Sequence, residues 1–319
     1  IRQIMKSEIL RLLKESDTYI SGQQLCEQFQ VSRTAIWKVI DQLKKEGYEI
    51  EAVRNRGYRL LESPDIMSEA EIRSLMDTEW AGKNIVYFDE IDSTNNRAKE
   101  LGEKDGAHGT LFVAGKGRRG RVWESPKGIS IYMTILLRPD LIPTKAPMLT
   151  LVMAQSVAEG IREVTGMETG IKWPNDIYWK DKKICGMLIE NDLMGRNISQ
   201  SIAGVGININ QEVFHSSAPN PVSLFQITGK QYDIFNILEH IMLRIQIYYD
   251  LLQKNNTALI TAQYERSLFR KEGMYRYKDV NGEFMANIVC VEPEGRLILE
   301  DETQTKRGYM FKEVEYLLK

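Results

Sequence analysis

The sequence predicts a multidomain α+β protein, because three kinds of pattern follow one another along its 319 residues. The first part holds short helical stripes and then a β-hairpin. The middle alternates strands with longer helices, two of which are expected at about 146–165 and 234–253. The last part holds short alternating runs joined by Gly-containing turns. We therefore expect three domains, at residues 1–62, 63–270 and 271–319.

The composition restricts the classes of function. Lys and Arg number 42 and Asp and Glu number 44, so any basic surface for nucleic acid must be local. The three cysteines are far apart, lack metal-ligand spacing and follow no secretion signal, which favours a reducing compartment. No apolar run approaches the roughly 18 residues of a membrane span. We expect a cytoplasmic protein with no membrane partner and no metal site made by protein ligands alone.

A helix after the segment QVS has an unusual outer face. Its apolar residues fall at the helical spacing i, i+3, i+4 and i+7, at Ile36, Val39, Ile40 and Leu43. The opposite face carries cations, a hydroxyl and an indole instead of the mixed Glu and Lys of a solvated helix. Cations suit DNA phosphates, and hydroxyl or forked donors suit base edges. The candidate DNA-contacting residues here are Ser32, Arg33, Thr34, Trp37 and Lys38.

The segment GYEIEAVRNRGYRLLE, residues 47–62, predicts a hairpin with a basic tip at Arg54 and Arg56. Together with the preceding helices it predicts a winged helix-turn-helix whose tip contacts the DNA backbone or minor groove. A small helical domain with a surface ribbon is the alternative. Residues 1–62 hold eleven Lys and Arg against nine Asp and Glu, a balance that does not decide between the two.

The segment GKGRRGR, residues 115–121, has no apolar side chain and cannot pack in a core. Its glycines permit exposed N–H groups and its cations supply positive charge, which predicts an anion-binding loop. A solvated charged loop is the alternative. Trp123 follows where it could cover a flat ligand. The spacing excludes a Walker A phosphate loop.

The segment KWPND, residues 172–176, predicts a rigid bend, because Trp173 precedes Pro174 and is held extended. Asn175 and Asp176 would then project from a fixed position. In the strand that follows, simple alternation places Lys183 on the face of Cys185, Met187 and Ile189. A lysine beside apolar residues is costly unless an anion meets it, so this pattern predicts an anion nearby.

The segment IAGVGINI, residues 202–209, reads as a strand with two internal glycines. No third glycine falls at the spacing of a dinucleotide-binding loop and no helix follows, which excludes that function. We expect Gly204 and Gly206 to allow a ligand to approach the backbone closely.

Five segments in this order resemble the biotin protein ligases: STN at 93–95, GKGRRGR, KWPND, KxxG at 183–186 and GVGIN at 204–208. The winged helix-turn-helix resembles that of the bifunctional subgroup, which also represses biotin operons. The resemblance spans essentially the whole chain. It implies a central, class II synthetase-like catalytic domain built on a mixed, largely antiparallel sheet. It also implies a small SH3-like β-barrel at the C-terminus.

The resemblance also implies roles for individual residues. The biotin site would include Ser93, Thr94, Asn95, Lys116, Gly117, Arg118, Lys183, Gly186 and Gly204. The ATP site would include Arg118, Arg119, Arg121, Trp123, Lys172, Asn175 and Asn208. The catalytic residues would be Arg118 and Lys183, with Asp176 orienting the amine of the acceptor.

The implied reaction has two steps and needs ATP, Mg²⁺ and biotin. The biotin carboxylate attacks the α-phosphate of ATP, and the resulting biotinoyl-AMP is held until a lysine of an acceptor attacks it. The acceptor would be the biotin-accepting carrier domain of a carboxylase. When bound to biotinoyl-AMP, a homodimer would bind operator DNA and repress biotin genes.

Two departures from the family pattern leave alternatives open. Lys116 stands where the family usually has arginine, which removes a forked donor. By visual register, roughly five residues that include a biotin-contacting glutamine are missing between LFVA and GKG. A ligand-sensing repressor that binds biotin or its adenylate without efficient ligation is therefore one alternative, opposed by Arg118 and Lys183. A lipoate-type ligase on the same fold is another, opposed by KWPND and GKGRRGR.

Overall fold

The structure, a computed structural model, describes residues 2–64, 67–115, 129–214 and 219–318. The chain forms two compact units, Ile1–Met76 and Asp77–Lys319. The division into three domains at 62/63 and 270/271 stays a prediction. Several predicted loop residues lie outside the described residues, namely Lys116, Gly117, Arg118, Arg119, Arg121 and Trp123.

The first unit contains the predicted helices and hairpin. Its elements are α1 (Arg2–Glu15), α2 (Gly22–Phe29), α3 (Arg33–Lys45), β1 (Glu49–Val53), β2 (Gly57–Glu62) and α4 (Glu69–Leu75). The side chains of Ser21 and Ser32 cap the N-termini of α2 and α3. Helix α4 contacts α1, and Glu71 of α4 accepts hydrogen bonds from Lys14 and Tyr48. These bonds explain why the unit continues beyond residue 62.

A seven-stranded sheet forms the centre of the second unit. Its strands are β3 (Ile85–Phe88), β4 (Thr110–Ala114), β5 (Ser130–Leu137), β6 (Gly170–Lys172), β7 (Asp176–Trp179), β8 (Lys182–Met194) and β9 (Asn197–Asn208). They lie in the order β3-β4-β5-β9-β8-β7-β6. Only β3 and β4 pair in parallel among the described pairs. The predicted mixed, largely antiparallel sheet is confirmed.

In the described part of this unit, five α-helices accompany the sheet: α5 (Thr94–Gly102), α6 (Ala146–Thr165), α7 (Leu224–Thr228), α8 (Ile234–Gln253) and α9 (Thr257–Arg266). The two long helices have the predicted bounds. Helices α6 and α8 pack on each other where Gly160 meets Ile241, since a Cβ at Gly160 would lie 2.5 Å from the Ile241 Cγ1. Helix α5 packs through Ala98 against Phe112 and Leu136 of β4 and β5.

The C-terminal strands form a second, antiparallel sheet in the same unit. They are β10 (Tyr275–Asp279), β11 (Gly282–Val291), β12 (Leu297–Asp301), β13 (Lys306–Tyr309) and β14 (Glu315–Tyr316), in the order β13-β12-β11-β10-β14. The expected all-β C-terminal region is therefore confirmed. Within the described part of the chain, no helix is both long and apolar enough to cross a membrane.

Candidate functional site

Asn95 lies buried in the first turn of α5, and its side chain contacts three strands of the large sheet, β5, β8 and β9. Its Nδ2 donates to the carbonyl of Leu188, at 3.3 Å. Its Oδ1 lies 2.6 Å from the Thr134 Oγ1, which is also 2.7 Å from the Thr94 Oγ1. A hydroxyl donates only one proton, so when Thr134 donates to Asn95, Thr94 donates to Thr134. Ser93 caps the same helix, so the STN segment is fixed by its own hydrogen bonds.

Gly204 of β9 makes room for this asparagine. A Cβ at Gly204 would lie 2.1 Å from the Asn95 Oδ1, a distance that no real contact allows. In this structure the group that approaches Gly204 is the Asn95 side chain, and the expected approach of a ligand to Gly204 and Gly206 stays a prediction. Gly206 pairs across the strands with Gly186 of β8. These two glycines lie side by side in the sheet.

Lys183 is on a different face of β8 from the one that alternation predicts. Ile177 pairs with Cys185, whereas its neighbour Tyr178 pairs with Lys183, so Ile184 is an extra residue, a β-bulge. Directly opposed residues share a face, so Lys183 lies on the face of Tyr178 and opposite to that of Cys185. The prediction that Lys183 lies beside Cys185 is therefore wrong, because a bulge reverses the alternation.

The bulge brings Lys183 to Asp176. Their Nζ and Oδ2 atoms lie 2.8 Å apart, and both side chains are about a quarter exposed, at 27% and 23%. Lys172 pairs with Asp176 across β6 and β7, so all three side chains share one face of the sheet. This face therefore holds two cations and one carboxylate within a few residues of the KWPND bend.

Lys172 lies between two aromatic rings. Its Nζ is 5.2 Å from the ring centre of Tyr178 and 5.3 Å from that of Tyr316. Burial lowers the pKa of Lys172, the Asp176 carboxylate opposes that change, and the Lys183 ammonium adds to it. Tyr316 belongs to the C-terminal sheet, so that sheet contributes directly to the surroundings of Lys172.

The KWPND bend is fixed by contacts on both sides. The peptide bond between Trp173 and Pro174 is cis. The buried Trp173 donates through Nε1 to the carbonyl of Gly295, at 3.2 Å, and Tyr264 donates to the carbonyl of Pro174, at 2.8 Å. The expected rigid bend is therefore present.

Two asparagines from different motifs bind neighbouring carbonyls of β8. The Asn175 Nδ2 donates to the carbonyl of Met187, at 2.9 Å, and Asn95 donates to that of the next residue, Leu188. The STN and KWPND segments, about eighty residues apart in sequence, therefore meet on one strand.

Asn208 is completely buried at the end of β9. Its Nδ2 donates to the carbonyl of Val222, at 3.3 Å, and its Oδ1 has no hydrogen-bond partner among the described residues. It pairs across the strands with Ser130, whose Oγ is likewise without a partner there. Asn208 therefore anchors the segment before α7 and keeps one acceptor for a further group.

Three contributors to this site were missed by the sequence analysis. Thr134 lies in an apolar strand, and no spacing connects it with Asn95. Tyr178 follows the KWPND motif, and its alternation with Ile177 could have placed it on the face of Lys172. Nothing in the sequence connects Tyr316 with Lys172, because 143 residues separate them.

The first unit places its predicted DNA-contacting residues on an accessible surface. Helix α3 buries Ile36, Val39, Ile40 and Leu43, as predicted. The residues on its other face are exposed: Ser32, Arg33, Thr34, Trp37 and Lys38. Trp37 is 57% exposed, which is high for an indole with no role in the core.

The wing tip is fixed beside the start of α2. Gly57 has a positive φ of 118°, and a Cβ there would lie 1.9 Å from the carbonyl oxygen of Ile20. Ile20 and Tyr58 exchange backbone hydrogen bonds of 2.9 Å in both directions. Arg54 and Arg56 of the tip and Arg33 of α3 line one groove of about 450 Å³. The groove therefore joins the predicted helix and wing contacts.

Known protein families match each of the two units separately. Residues 6–59 match a family model described as an HTH domain, and residues 88–208 match the biotin/lipoate A/B protein ligase family. A bifunctional ligase/repressor, BirA, of Bacillus subtilis strain 168 is 36% identical over 320 residues, which cover 97% of this chain and 98% of that protein. The chain belongs to the bifunctional biotin ligase/repressor family.

Further relatives agree with this family. The BirA of Escherichia coli K12 is 33% identical over 217 residues, 67% of this chain and 66% of that protein. The biotin protein ligase of Aquifex aeolicus, solved in complex with biotin and ATP, superposes with a TM-score of 0.61 at 26% identity. It covers 74% of this chain and 100% of its own. Family membership confirms the predicted biotin–protein ligase and the predicted DNA-binding repressor.

Proposed function

We propose that this protein joins biotin to AMP, transfers it to a lysine on the carrier domain of a carboxylase, and represses biotin genes as a homodimer bound to biotinoyl-AMP. The observation that carries the residue-level proposal is the cluster of Lys172, Asp176 and Lys183 on one face of the sheet. Two cations beside a fixed bend suit a reaction between two anionic substrates.

The first step brings the biotin carboxylate and the α-phosphate of ATP together. A carboxylate oxygen forms a bond to phosphorus, the bond from phosphorus to the bridging oxygen breaks, and pyrophosphate leaves. Both reactants are anions, so the site must neutralise them and hold them in line. Lys183 serves the biotin carboxylate and Lys172 the phosphates, and Arg118 and Arg121 of the glycine-rich segment add positive charge.

The asparagines and the STN segment position the two substrates. Ser93, Thr94 and Asn95 bind biotin, with Gly186 and Gly204 on the adjoining strands. Asn175 and Asn208 serve the nucleotide, and the buried Asn208 Oδ1 supports that role because it is without a partner in the described structure. Lys116 and Gly117 contribute to the biotin site, and Arg119 and Trp123 contribute to the ATP site.

In the second step the acceptor lysine attacks the carbonyl of biotinoyl-AMP. A carbon–nitrogen bond forms, AMP leaves, and the amine loses a proton. Asp176 orients that amine, a role that its fixed position beside Lys183 supports. Exclusion of water until the acceptor arrives preserves the adenylate.

Mg²⁺ enters with ATP. The described part of the chain contains no cluster of three or more His, Cys, Asp or Glu side chains that could hold a metal ion. The ion, when bound, neutralises charge on the phosphates. Lys172 and Lys183 hold the remaining negative charge at defined positions.

The decisive test uses the purified protein with biotin, Mg-ATP and a biotin-acceptor domain. Intact mass should show one biotinyl addition to the domain that requires ATP, and Arg118→Gly serves as the comparison variant. Absence of any addition, with biotin still bound, would instead support a ligand-sensing repressor.

The repressor part is tested by operator binding. A gel shift with and without biotin plus ATP should show tighter binding when both are present, and sedimentation should show a dimer under the same conditions. Identical operator binding in the two conditions would refute the co-repressor role of biotinoyl-AMP. A cytoplasmic location, where carboxylases and operator DNA are both accessible, remains a prediction.

A further inference from the structure

The ammonium group of Lys172 is held by two aromatic rings from distant parts of the chain. We propose that Tyr316 of the C-terminal sheet, together with Tyr178, is a positioning residue that fixes the Lys172 ammonium for the phosphates of ATP. The proposal rests on the proposed role of Lys172 in the ATP site. It gives the C-terminal sheet a direct part in nucleotide binding.

An aromatic ring and a carboxylate both attract a lysine ammonium group, but they differ in how much of its charge stays available to another anion. A carboxylate partner neutralises the ammonium, whereas the ring faces attract it and leave its full charge available to an anion. The residue that pairs with Lys172 across the strands, Asp176, makes its 2.8 Å ion pair with Lys183. Lys172 is therefore held in place without giving up its charge.

The charges around Lys172 come from three parts of the second unit. Asp176 and Glu315 favour its charged form, and Lys183 and Arg270 oppose that form. Arg270 is itself paired, at 3.2 Å, with Asp181 in the turn between β7 and β8. Two charges of each sign thus act on Lys172, and we assign the position of its ammonium to the two rings.

Tyr316 is itself rigidly held, as a positioning residue must be. It is 5% exposed and pairs with Tyr277 across β10 and β14. Its ring meets that of Tyr277 edge-on at 4.9 Å between ring centres, and it is inclined by 26° to the ring of Phe269 at 6.5 Å. The backbone N–H of the next residue, Leu317, donates to the carbonyl of Arg276 in β10, and the Leu317 carbonyl accepts from the Arg270 side chain, both at 3.1 Å. Backbone pairing and ring contacts therefore hold this two-residue strand, and the Tyr316 hydroxyl has no hydrogen-bond partner among the described residues.

The test compares Tyr316→Leu, which removes the ring, with Tyr316→Phe, which keeps it. In an adenylation assay, Tyr316→Leu should raise the KM for MgATP by about fivefold or more. The KM for biotin should change by less than about twofold. The Tyr316→Phe variant should have a KM for MgATP close to that of the unaltered protein. Tyr178→Leu should act in the same direction, so the result does not depend on one variant folding well.

A double-mutant cycle tests whether Tyr316 acts through Lys172. Lys172→Met should raise the KM for MgATP, and adding Tyr316→Leu to that variant should produce no further increase. Phe284→Leu is the matched control, since Phe284 packs against Tyr277 and Tyr309 in the same sheet. It should lower the melting temperature without changing the KM for MgATP.

Three results would overturn the proposal, and they differ in what else they reject. If Lys172→Met leaves the KM for MgATP unchanged, the proposed ATP-site role of Lys172 fails and the positioning role fails with it. If Lys172→Met raises that KM but Tyr316→Leu does not, only the positioning role fails. If Phe284→Leu reproduces the effect of Tyr316→Leu, the effect comes from general loosening of the C-terminal sheet.

Discussion

The two regions of the molecule that carry the proposed functional cations hold them in opposite ways. In the first unit, Arg33 and Lys38 of α3 and Arg54 and Arg56 of the wing tip are exposed to solvent. In the second unit, Lys172 and Lys183 are partly buried, one between two rings and the other beside a carboxylate. The same residue types therefore stand in a screened environment in one region and a desolvated environment in the other.

This difference predicts how each region responds to change. The exposed cations, if they bind DNA as proposed, act through charges that salt screens, so their contributions should be nearly additive and depend on ionic strength. Partly buried cations share partners, so their contributions should be coupled and less sensitive to salt. Four predictions sharpen this contrast or probe the packing of the second unit, beginning with the largest expected effect.

The largest effect is expected for Lys183→Met. The variant removes a cation proposed to meet the biotin carboxylate and leaves the Asp176 carboxylate without this partner in a partly buried position. We expect kcat/KM for biotin to fall by at least about 100-fold, because an electrostatic contact in a water-poor site is lost. A steady-state ligation assay with varied biotin measures kcat/KM.

Lys182→Met provides the matched control, because Lys182 precedes it in β8 and is exposed. It should leave ligation within about twofold of the unaltered protein, as exposed charges contribute little. Equal losses in the two variants would remove the distinction between buried and exposed cations.

The next effect is expected for Gly204→Ala, which tests whether the buried region is set by packing. The new Cβ would lie 2.1 Å from the Asn95 Oδ1 and would displace that side chain from Thr134 and Leu188. We expect the free energy of unfolding to fall by about 2 kcal/mol and ligation to fall roughly tenfold. Denaturant unfolding and steady-state assays measure the two changes.

Gly206→Ala is the matched control for stability, since a Cβ there would come no closer than 3.8 Å to the Tyr132 ring. It should change the free energy of unfolding by less than about 1 kcal/mol. If Gly204→Ala is as stable as Gly206→Ala, the described contact with Asn95 does not constrain the sheet.

The DNA-contacting surface proposed in the first unit and the lysine cluster of the second unit also show what could be predicted from the sequence. The helical stripe of α3 and the bounds of α6 and α8 follow from local periodicity, because a buried face repeats at a regular spacing. The pairing of Lys183 with Asp176 depends on a β-bulge at Ile184. Simple alternation along a strand does not predict bulges. The ring of Tyr316 reaches Lys172 only through tertiary folding. Local rules therefore predict helices and strands well. They predict poorly which side chains from distant parts of the sequence come into contact.

A smaller effect, confined to DNA binding, is expected for Lys38→Ala. Removing one exposed cation from the outer face of α3 should weaken operator binding by roughly fivefold at moderate salt. It should also reduce the dependence of log K on log salt by about one. Ligation should be unchanged, and titrations of operator DNA at several salt concentrations measure the slope.

Lys44→Ala is the comparison variant, because Lys44 is exposed in the last turn of the same helix. It should leave both the affinity and the salt slope nearly unchanged. An equal loss in Lys44→Ala would show that the whole helix, and not its N-terminal outer face, sets the DNA affinity.

The smallest effect concerns His108, a partly buried base that belongs to neither set of cations. Its ring lies 4.4 Å from that of Trp80, and its Nδ1 accepts a 2.9 Å hydrogen bond from the Arg138 backbone N–H. Burial lowers the pKa of His108, with Asp250 opposing and Arg138 adding to the change. The folded state therefore keeps the ring neutral at a pH where the unfolded chain is already protonated.

The lowered pKa of His108 makes the protein less stable as the pH falls. Below the unfolded value of about 6.5 the unfolded chain binds a proton that the folded chain does not, so the free energy of unfolding falls as the pH falls. His108→Asn keeps an acceptor for Arg138 but cannot titrate, so it should flatten this dependence between about pH 6.5 and 5. The difference should be below about 1 kcal/mol, because solvent screens the partly exposed ring. Denaturant titrations at both pH values measure it, and a variant as pH-sensitive as the unaltered protein would assign the acid sensitivity to other groups.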